Sequence, residues 1–356
     1  MSDTPKNAIR ILKSIWNKDA AGVWVVHDMQ EIDLKARKGF GPGYFKIEND
    51  INLMTSRPGP ILQNLFATFG TTEFLVRQSI VPVVAWNQGD TELRCIGTGF
   101  FVSASGLILT AGHVMRDPID EEYTSVTALG ERSFKLGESL RFGIMLPANP
   151  AMRSAPFNIP DQVRKAKWFM CPFEWAVHWG QHITSPLFNQ KDEFKFDVDI
   201  SVCKVRENVI GGSYQPLNIG PHSMKVGDRA VAIGYAEMRN IPLDGSDDGD
   251  PELLVSVGSV KQIFPNNITE KRTPTPGPCF EFDAKIPGKM SGSPILVGSG
   301  ILAKGVVSRS WGGTENGATG CLVAPLWDLP LATGRSLRQL ILNGNEGIAN
   351  FLMSGI

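Results

Sequence analysis

Residues 97–114 read Gly-Thr-Gly-Phe-Phe-Val-Ser-Ala-Ser-Gly-Leu-Ile-Leu-Thr-Ala-Gly-His-Val. Two short runs of apolar and β-favouring residues, Thr98–Val102 and Leu107–Thr110, are separated by a Ser- and Gly-containing turn, and small residues then lead into His113. Runs of this kind, bounded by turn residues, are strand signals. The same texture extends in both directions, at Ile80–Trp86, Val198–Val205, Ala230–Ile233, Leu253–Val257, Pro294–Val297, Leu302–Val307 and Thr319–Val323. Many short strands punctuated by Gly, Asn, Asp and Pro point to a mainly β barrel or sandwich, and not to alternating βα units. The 37 glycines and 24 prolines suffice for that many turns.

Upstream, residues 1–79 have a different character. Ala8, Ile11, Leu12, Ile15 and Trp16 follow the i, i+3, i+4, i+7, i+8 spacing of one helix face. Gly22–Val26 reads as a strand, Gly41-Pro42-Gly43 and Arg57-Pro58-Gly59-Pro60 as turns, and Ile61–Phe69 as a second helix. At the other end, Leu337, Leu340 and Ile341 give 336–352 a helical spacing. The expected domains are an α/β extension at 1–79, a β domain at 80–335 and a helical segment at 336–356.

Composition limits the partners. The 356 residues are 42% hydrophobic and 20% charged with a formal net charge of −1, so no basic field exists to attract nucleic acid or anionic lipid. The opening Met-Ser-Asp-Thr-Pro-Lys lacks an apolar signal segment, and no stretch approaches the ~18 apolar residues of a membrane span. Five dispersed cysteines read as reduced thiols of a cytoplasmic protein. No cofactor is expected.

Three residues carry the candidate chemistry. A serine hydroxyl needs a base to take its proton and a carboxylate to orient that base. His113 stands where an apolar strand ends. Asp197 and Asp199 lie on one face of an alternating strand, and Ser291 sits in the turn Gly-Lys-Met-Ser-Gly-Ser-Pro at 288–294. Each alone is unremarkable. Together, in the order His, Asp, Ser, they point to acyl transfer, most simply peptide hydrolysis. An esterase of α/β-hydrolase type would need alternating strands and helices and the order Ser, Asp, His.

The segment Gly97–Val114 resembles the histidine region of trypsin-like serine proteases, closest to the bacterial Deg branch. Asp199-Ile200-Ser201-Val202 resembles that branch's aspartate strand and selects Asp199 over Asp197. Pro216–Gly220, Val226–Tyr235, Asp283–Pro294 and Gly305–Ser308 are similar to its later strands, so the likeness spans Ile80 to Leu331. The resemblance implies a double six-stranded β-barrel with His113 and Asp199 from the first barrel and Ser291 from the second. It implies a His113–Asp199–Ser291 triad acting through an acyl-enzyme. The oxyanion donors would be the backbone N–H groups of Lys289 and Ser291. Lys285, Ile286, Val307, Ser308, Arg309 and Ser310 would contact a protein or peptide substrate. Ile286 facing the pocket would suit an apolar side chain, and Lys285 facing it an acidic one. Residues 332–356 are too few for the PDZ domain common in that branch.

One departure matters. The family places glycine two residues before the serine, where φ is positive, and this chain has Lys289 there with Gly288 beside it. A catalytically silent trypsin-like scaffold, or a protease needing activation, is therefore the alternative. The 86 residues between His113 and Asp199 exceed the need of a compact barrel. An insertion is expected at 141–195, and a regulatory partner is expected there or at 1–79. His178, His182, Cys171 and Glu174 would suit zinc only on a helix, which Pro172 interrupts, so no metal is expected.

Overall fold

The computed structural model describes residues 13–18, 24–36, 43–53, 79–103, 105–116, 126–130, 133–136, 140–147, 168–183, 193–205, 214, 216–217, 219–220, 223–244, 251–265, 275–297, 302–311, 317–328 and 336–339. The chain is mainly β and forms two closed six-stranded barrels of trypsin-like type.

Three strands precede the barrels: β1 (Lys13–Lys18), β2 (Trp24–Ala36) and β3 (Tyr44–Leu53). The first barrel is built from β4 (Ile80–Asn87), β5 (Glu92–Phe101) and β6 (Leu107–Thr110), then β9 (Leu140–Pro147), β10 (Trp168–Ile183) and β11 (Glu193–Val205). A separate hairpin, β7 (Val126–Gly130) and β8 (Ser133–Leu136), lies between β6 and β9 in the chain. The ring runs β5-β4-β9-β10-β11-β6 and closes through β5–β6.

The second barrel uses β12 (Arg229–Tyr235), β14 (Leu253–Phe264), β15 (Cys279–Phe282), β16 (Pro294–Val297), β17 (Ala303–Ser310) and β18 (Ala318–Leu322). It closes in the order β14-β12-β16-β17-β18-β15. Closure leaves neither barrel with a free sheet edge. The short β13 (Ile241–Pro242) straps the second half of the chain to the first barrel by pairing with Leu93 and Glu92.

The strands form where β-branched and aromatic residues recur, and their inward side chains fill the core. Phe100, Val84, Ile200 and Val202 of the first barrel and Val255, Val306 and Ile233 of the second belong to one buried cluster, so the two barrels share apolar packing. Tyr235 locks the joint: it is fully buried and its hydroxyl donates to the Ile80 carbonyl at 3.2 Å. All five cysteines are free, as their dispersal suggested.

Two expectations are corrected. Lys13–Lys18 is a strand and not part of a helix, because pairing with β2 from Lys13↔Gln30 to Lys18↔Trp24 outweighs the local 3.6-residue spacing. The meander continues to the second barrel through Leu254↔Lys46 and Ser256↔Tyr44, where Tyr44 is buried. The insertion expected at 141–195 instead supplies two barrel staves. β10 pairs with β9 on one side and β11 on the other, and three register shifts along it give the bends that a barrel requires. Trp179 thereby joins the core, with Trp168, Trp175 and Val177 packed against it. His178 is consequently in a strand, so the helical spacing considered for zinc does not form, and among the described residues no cluster of three potential ligands exists. The helix expected at 61–69 lies outside the described residues, and of 336–352 only 337–339 are described as helical.

Candidate active site

The site lies between the barrels. β6 ends at Thr110, and residues 112–116 turn into a short helical segment that carries His113 at its start. β11 runs antiparallel to β6 with Ser201 opposite Thr110, so Asp199, two residues earlier, reaches beneath His113. Asp199 accepts from the His113 backbone N–H through Oδ1 at 2.8 Å and contacts His113 Nδ1 through Oδ2 at 2.8 Å. Ser308 Oγ from the second barrel also donates to Oδ2. Asp199 is 1% exposed, whereas Asp197 on the same strand is exposed, so burial separates the two aspartates that one strand face had left equivalent.

Burial alone would push the Asp199 carboxyl up. The charge of His113, the hydrogen bonds from His113 Nδ1 and Ser308, and the His113 backbone N–H more than offset it and hold the carboxyl at about 2. An ionised carboxylate facing Nδ1 requires the proton on Nδ1, which makes Nε2 the basic nitrogen.

Ser291 lies in a tight turn that follows Pro287. Met290, fully buried in the second barrel, anchors this turn from within, and Ser293 N–H donates to its carbonyl at 3.0 Å. The Ser291 carbonyl accepts from Thr98 N–H of β5 at 2.9 Å, and the Lys289 carbonyl accepts from Thr98 Oγ1 at 3.0 Å. Gly292 N–H donates to the Val307 carbonyl at 2.8 Å. Two barrels thus grip one turn. Ser291 Oγ itself donates to the Ser308 carbonyl at 3.2 Å, so Ser308 touches Asp199 with its side chain and Ser291 with its main chain.

Lys289 does adopt the left-handed backbone expected of it, with φ 71°. The Gly288 carbonyl accepts from Glu237 N–H at 3.1 Å. In a trans peptide the N–H opposes the carbonyl, so this bond directs the Lys289 N–H away from Glu237. Among the described residues, neither the Lys289 nor the Ser291 N–H donates to a backbone carbonyl.

The expected substrate contacts divide. Val307 is fully buried and both its backbone groups are used, its N–H by Ser293 and its carbonyl by Gly292, so it supports the turn and presents no surface. Ile286 is buried in a cluster with Met290, Phe282 and Val307. Ser308 is buried and committed to Asp199 and Ser291. Arg309 is half-buried with its backbone tied to Thr319 Oγ1, while Ser310 and Lys285 are exposed. Thr98 and the aspartate-binding role of Ser308 escaped the sequence reading. Both act across the barrel interface, where sequence spacing carries no signal.

Among curated proteins no relative matches the chain. A solved structure of Deg5 superposes with a TM-score of 0.40 at 17% identity, covering 79% of this chain and 94% of Deg5. The MamO protease domain from Magnetospirillum magneticum in its apo form superposes with a TM-score of 0.40 at 13% identity, covering 71% of this chain and 95% of that one. Residues 97–302 match the trypsin-like peptidase domain. That match spans more than half of the sequence and includes His113, Asp199 and Ser291, and the chain therefore belongs to the trypsin-like peptidase family.

Proposed function

We propose that the protein is a serine endopeptidase with Ser291 as nucleophile, His113 as general base and Asp199 as the carboxylate that orients it. The observation that carries this reading is the buried Asp199 carboxylate, held by three donors beside His113 while Ser291 is pinned to the same barrel through Thr98. Peptide hydrolysis is the activity that family membership supports.

The steps follow from these roles. Ser291 Oγ leaves its contact with the Ser308 carbonyl and attacks the scissile carbonyl as its proton passes to His113 Nε2. The resulting imidazolium is stabilised by Asp199 through Nδ1–H. The developing oxyanion is received by the N–H groups of Lys289 and Ser291, each such donor lowering the barrier by about 3 kcal/mol. His113 returns the proton to the departing amine, an ester forms on Ser291, and water hydrolyses it by the same route in reverse.

Labelling with a fluorophosphonate tests the reading. Wild type is expected to take up one equivalent on Ser291, and Ser291→Ala none. Failure of the folded wild type to label would favour the silent-scaffold alternative. Against that alternative stands the turn itself, in which Lys289 accepts the left-handed conformation.

Replacing Lys289 with glycine tests the turn separately. A left-handed backbone is unfavourable for a residue with a Cβ, and the greater freedom of unfolded glycine offsets part of the relief. Lys289→Gly is expected to stabilise the fold by up to about 1 kcal/mol, read by thermal unfolding, and to preserve or raise turnover. Complete loss of turnover in a folded Lys289→Gly protein would contradict this assignment.

A further inference from the structure

Strand register gives the cysteines unequal neighbours. Cys95 lies opposite Val84, Cys171 opposite Ile144, and Cys203 between Ile108 and Ala176. Cys279 of β15 instead lies directly opposite Cys321 of β18. The next rung shows which kind of pair this is. Leu322 N–H donates to the Pro278 carbonyl at 3.1 Å, which makes Pro278 and Leu322 a hydrogen-bonded rung of the antiparallel ladder. Such rungs alternate with non-hydrogen-bonded ones, so Cys279 and Cys321 form one of the latter, where facing side chains stand closest. A rung of that kind sets the Cα atoms about 4.5 Å apart, inside the window of about 4.4–6.8 Å that a disulfide spans.

The two thiols also point the same way. Cys279 Sγ–H donates to the Thr275 carbonyl at 3.7 Å, and Cys321 Sγ–H donates to the carbonyl of the adjacent residue, Pro276, at 3.6 Å. Both sulfurs therefore face one short stretch of chain on one side of the β15–β18 ladder. S–H is a weak donor, so exchanging these two contacts for a covalent bond costs little. Both residues are 0% exposed, in the cluster that the two barrels share. Burial pushes the Cys321 thiol well above the usual thiol range, and only a thiolate attacks a disulfide. The folded dithiol is therefore slow to oxidise, and a bond made there is shielded from reductants in the same way.

We propose that Cys279 and Cys321 are a redox pair that closes into a cross-strand disulfide while the second barrel folds, and is sealed in its existing state once the barrels pack over it. The oxidant is a small disulfide of the glutathione class. One cysteine thiolate attacks its S–S bond, forming a mixed disulfide and releasing one thiol. The other cysteine thiolate then displaces the second. Two electrons pass to the oxidant's sulfurs, which leave as two thiols carrying the two cysteine protons. The loop so closed, about 40 residues, contains both Ser291 and Ser308, and closing it restricts the unfolded chain. Cys321 also lies opposite Val306 of β17, two residues before Ser308, so the bond staples the strands that carry the Ser308 contacts to Asp199 and Ser291. In a reducing compartment the pair stays as the dithiol.

Cell-free synthesis of the full chain tests this, with a mixture of oxidised and reduced glutathione in one reaction and dithiothreitol in the other. After denaturation and alkylation, the dithiothreitol product is expected to show all five cysteines alkylated. The glutathione product is expected to show two fewer, with one crosslinked peptide pair joining Cys279 to Cys321. Its melting temperature is expected to exceed that of the dithiol by roughly 5–10 °C. The dithiol, once folded, is expected to keep all its thiols through overnight exposure to the same glutathione mixture. Cys321→Ala should abolish the difference in melting temperature between the two syntheses, and the wild-type crosslink map decides the pairing even where that variant does not fold. Full alkylation of the glutathione product, a crosslink to any other cysteine, or equal melting temperatures overturns the pairing. Oxidation of the folded dithiol within minutes overturns the sealing. None of these readouts needs proteolysis, so they leave the endopeptidase reading untouched whichever way they fall.

Discussion

Asp199→Asn is expected to lower kcat/KM by about 10⁴-fold while leaving the protein folded, and the reason lies in counting donors. Three groups aim protons at the two Asp199 oxygens: the His113 backbone N–H at Oδ1, and His113 Nδ1 and Ser308 Oγ at Oδ2. An asparagine supplies one acceptor oxygen and one NH₂ donor. The backbone N–H can only donate, so the amide oxygen must take the Oδ1 place. The NH₂ then occupies the Oδ2 place, facing Nδ1. That nitrogen must accept, its proton moves to Nε2, and the base can no longer receive the Ser291 proton. Ser308 adapts by rotating its hydroxyl. Steady-state kinetics of the purified variant, with thermal unfolding as a control, measures the effect; activity within tenfold of wild type would refute the assignment of Asp199.

The same carboxylate makes stability depend on pH. Its folded value, about 2, is below the ~3.9 of an unfolded aspartate. The ionised form is therefore the one folding favours, and its contribution is complete above about pH 4. It is lost as pH falls from there through about 2.

The three candidate residues stood out in the sequence because each sits in a local context of its own: a histidine after an apolar strand, an aspartate in an alternating strand, a serine in a turn between glycines. Leu107–Thr110 and Pro294–Val297 read as strands because they are short, apolar and bounded by turn residues, and they are strands in the fold. β10 was obscured by Pro172 and by register shifts near Phe173 and Trp179, which break the alternation a strand should show. Gly143 of β9 is part of the same concealment. A Cβ there would lie 2.6 Å from the Cys171 carbonyl, so a residue that reads as a turn signal is a point of close approach between staves. The Ser308–Asp199 bond joins residues 109 apart in different barrels. Only the closed fold creates it, and no period in the sequence could announce it.

Gly292→Ala is the substitution expected to damage the molecule most. Gly292 has φ 88°, and a Cβ there would stand 2.0 Å from the Thr98 carbonyl oxygen, 2.3 Å from Thr110 Oγ1 and 3.0 Å from Ala111 N. All three belong to the first barrel or the segment leading to His113. Thr110 Oγ1 also donates to that Thr98 carbonyl at 2.7 Å, so neither atom can yield without breaking the other's bond. A methyl group would force the serine turn away from the first-barrel wall it packs against. The expected loss is about 4 kcal/mol or more, with turnover abolished even where folded protein survives. Gly227→Ala is the matched control: φ is 89° there, but no atom lies within 4 Å of the added Cβ. It should lose only the left-handed penalty of about 1–2 kcal/mol and keep its activity. Thermal unfolding of the two variants separates backbone strain from steric wedging. Equal melting points with activity retained in both would mean that the barrels do not clasp the Ser291 turn as tightly as the Thr98 and Thr110 distances require.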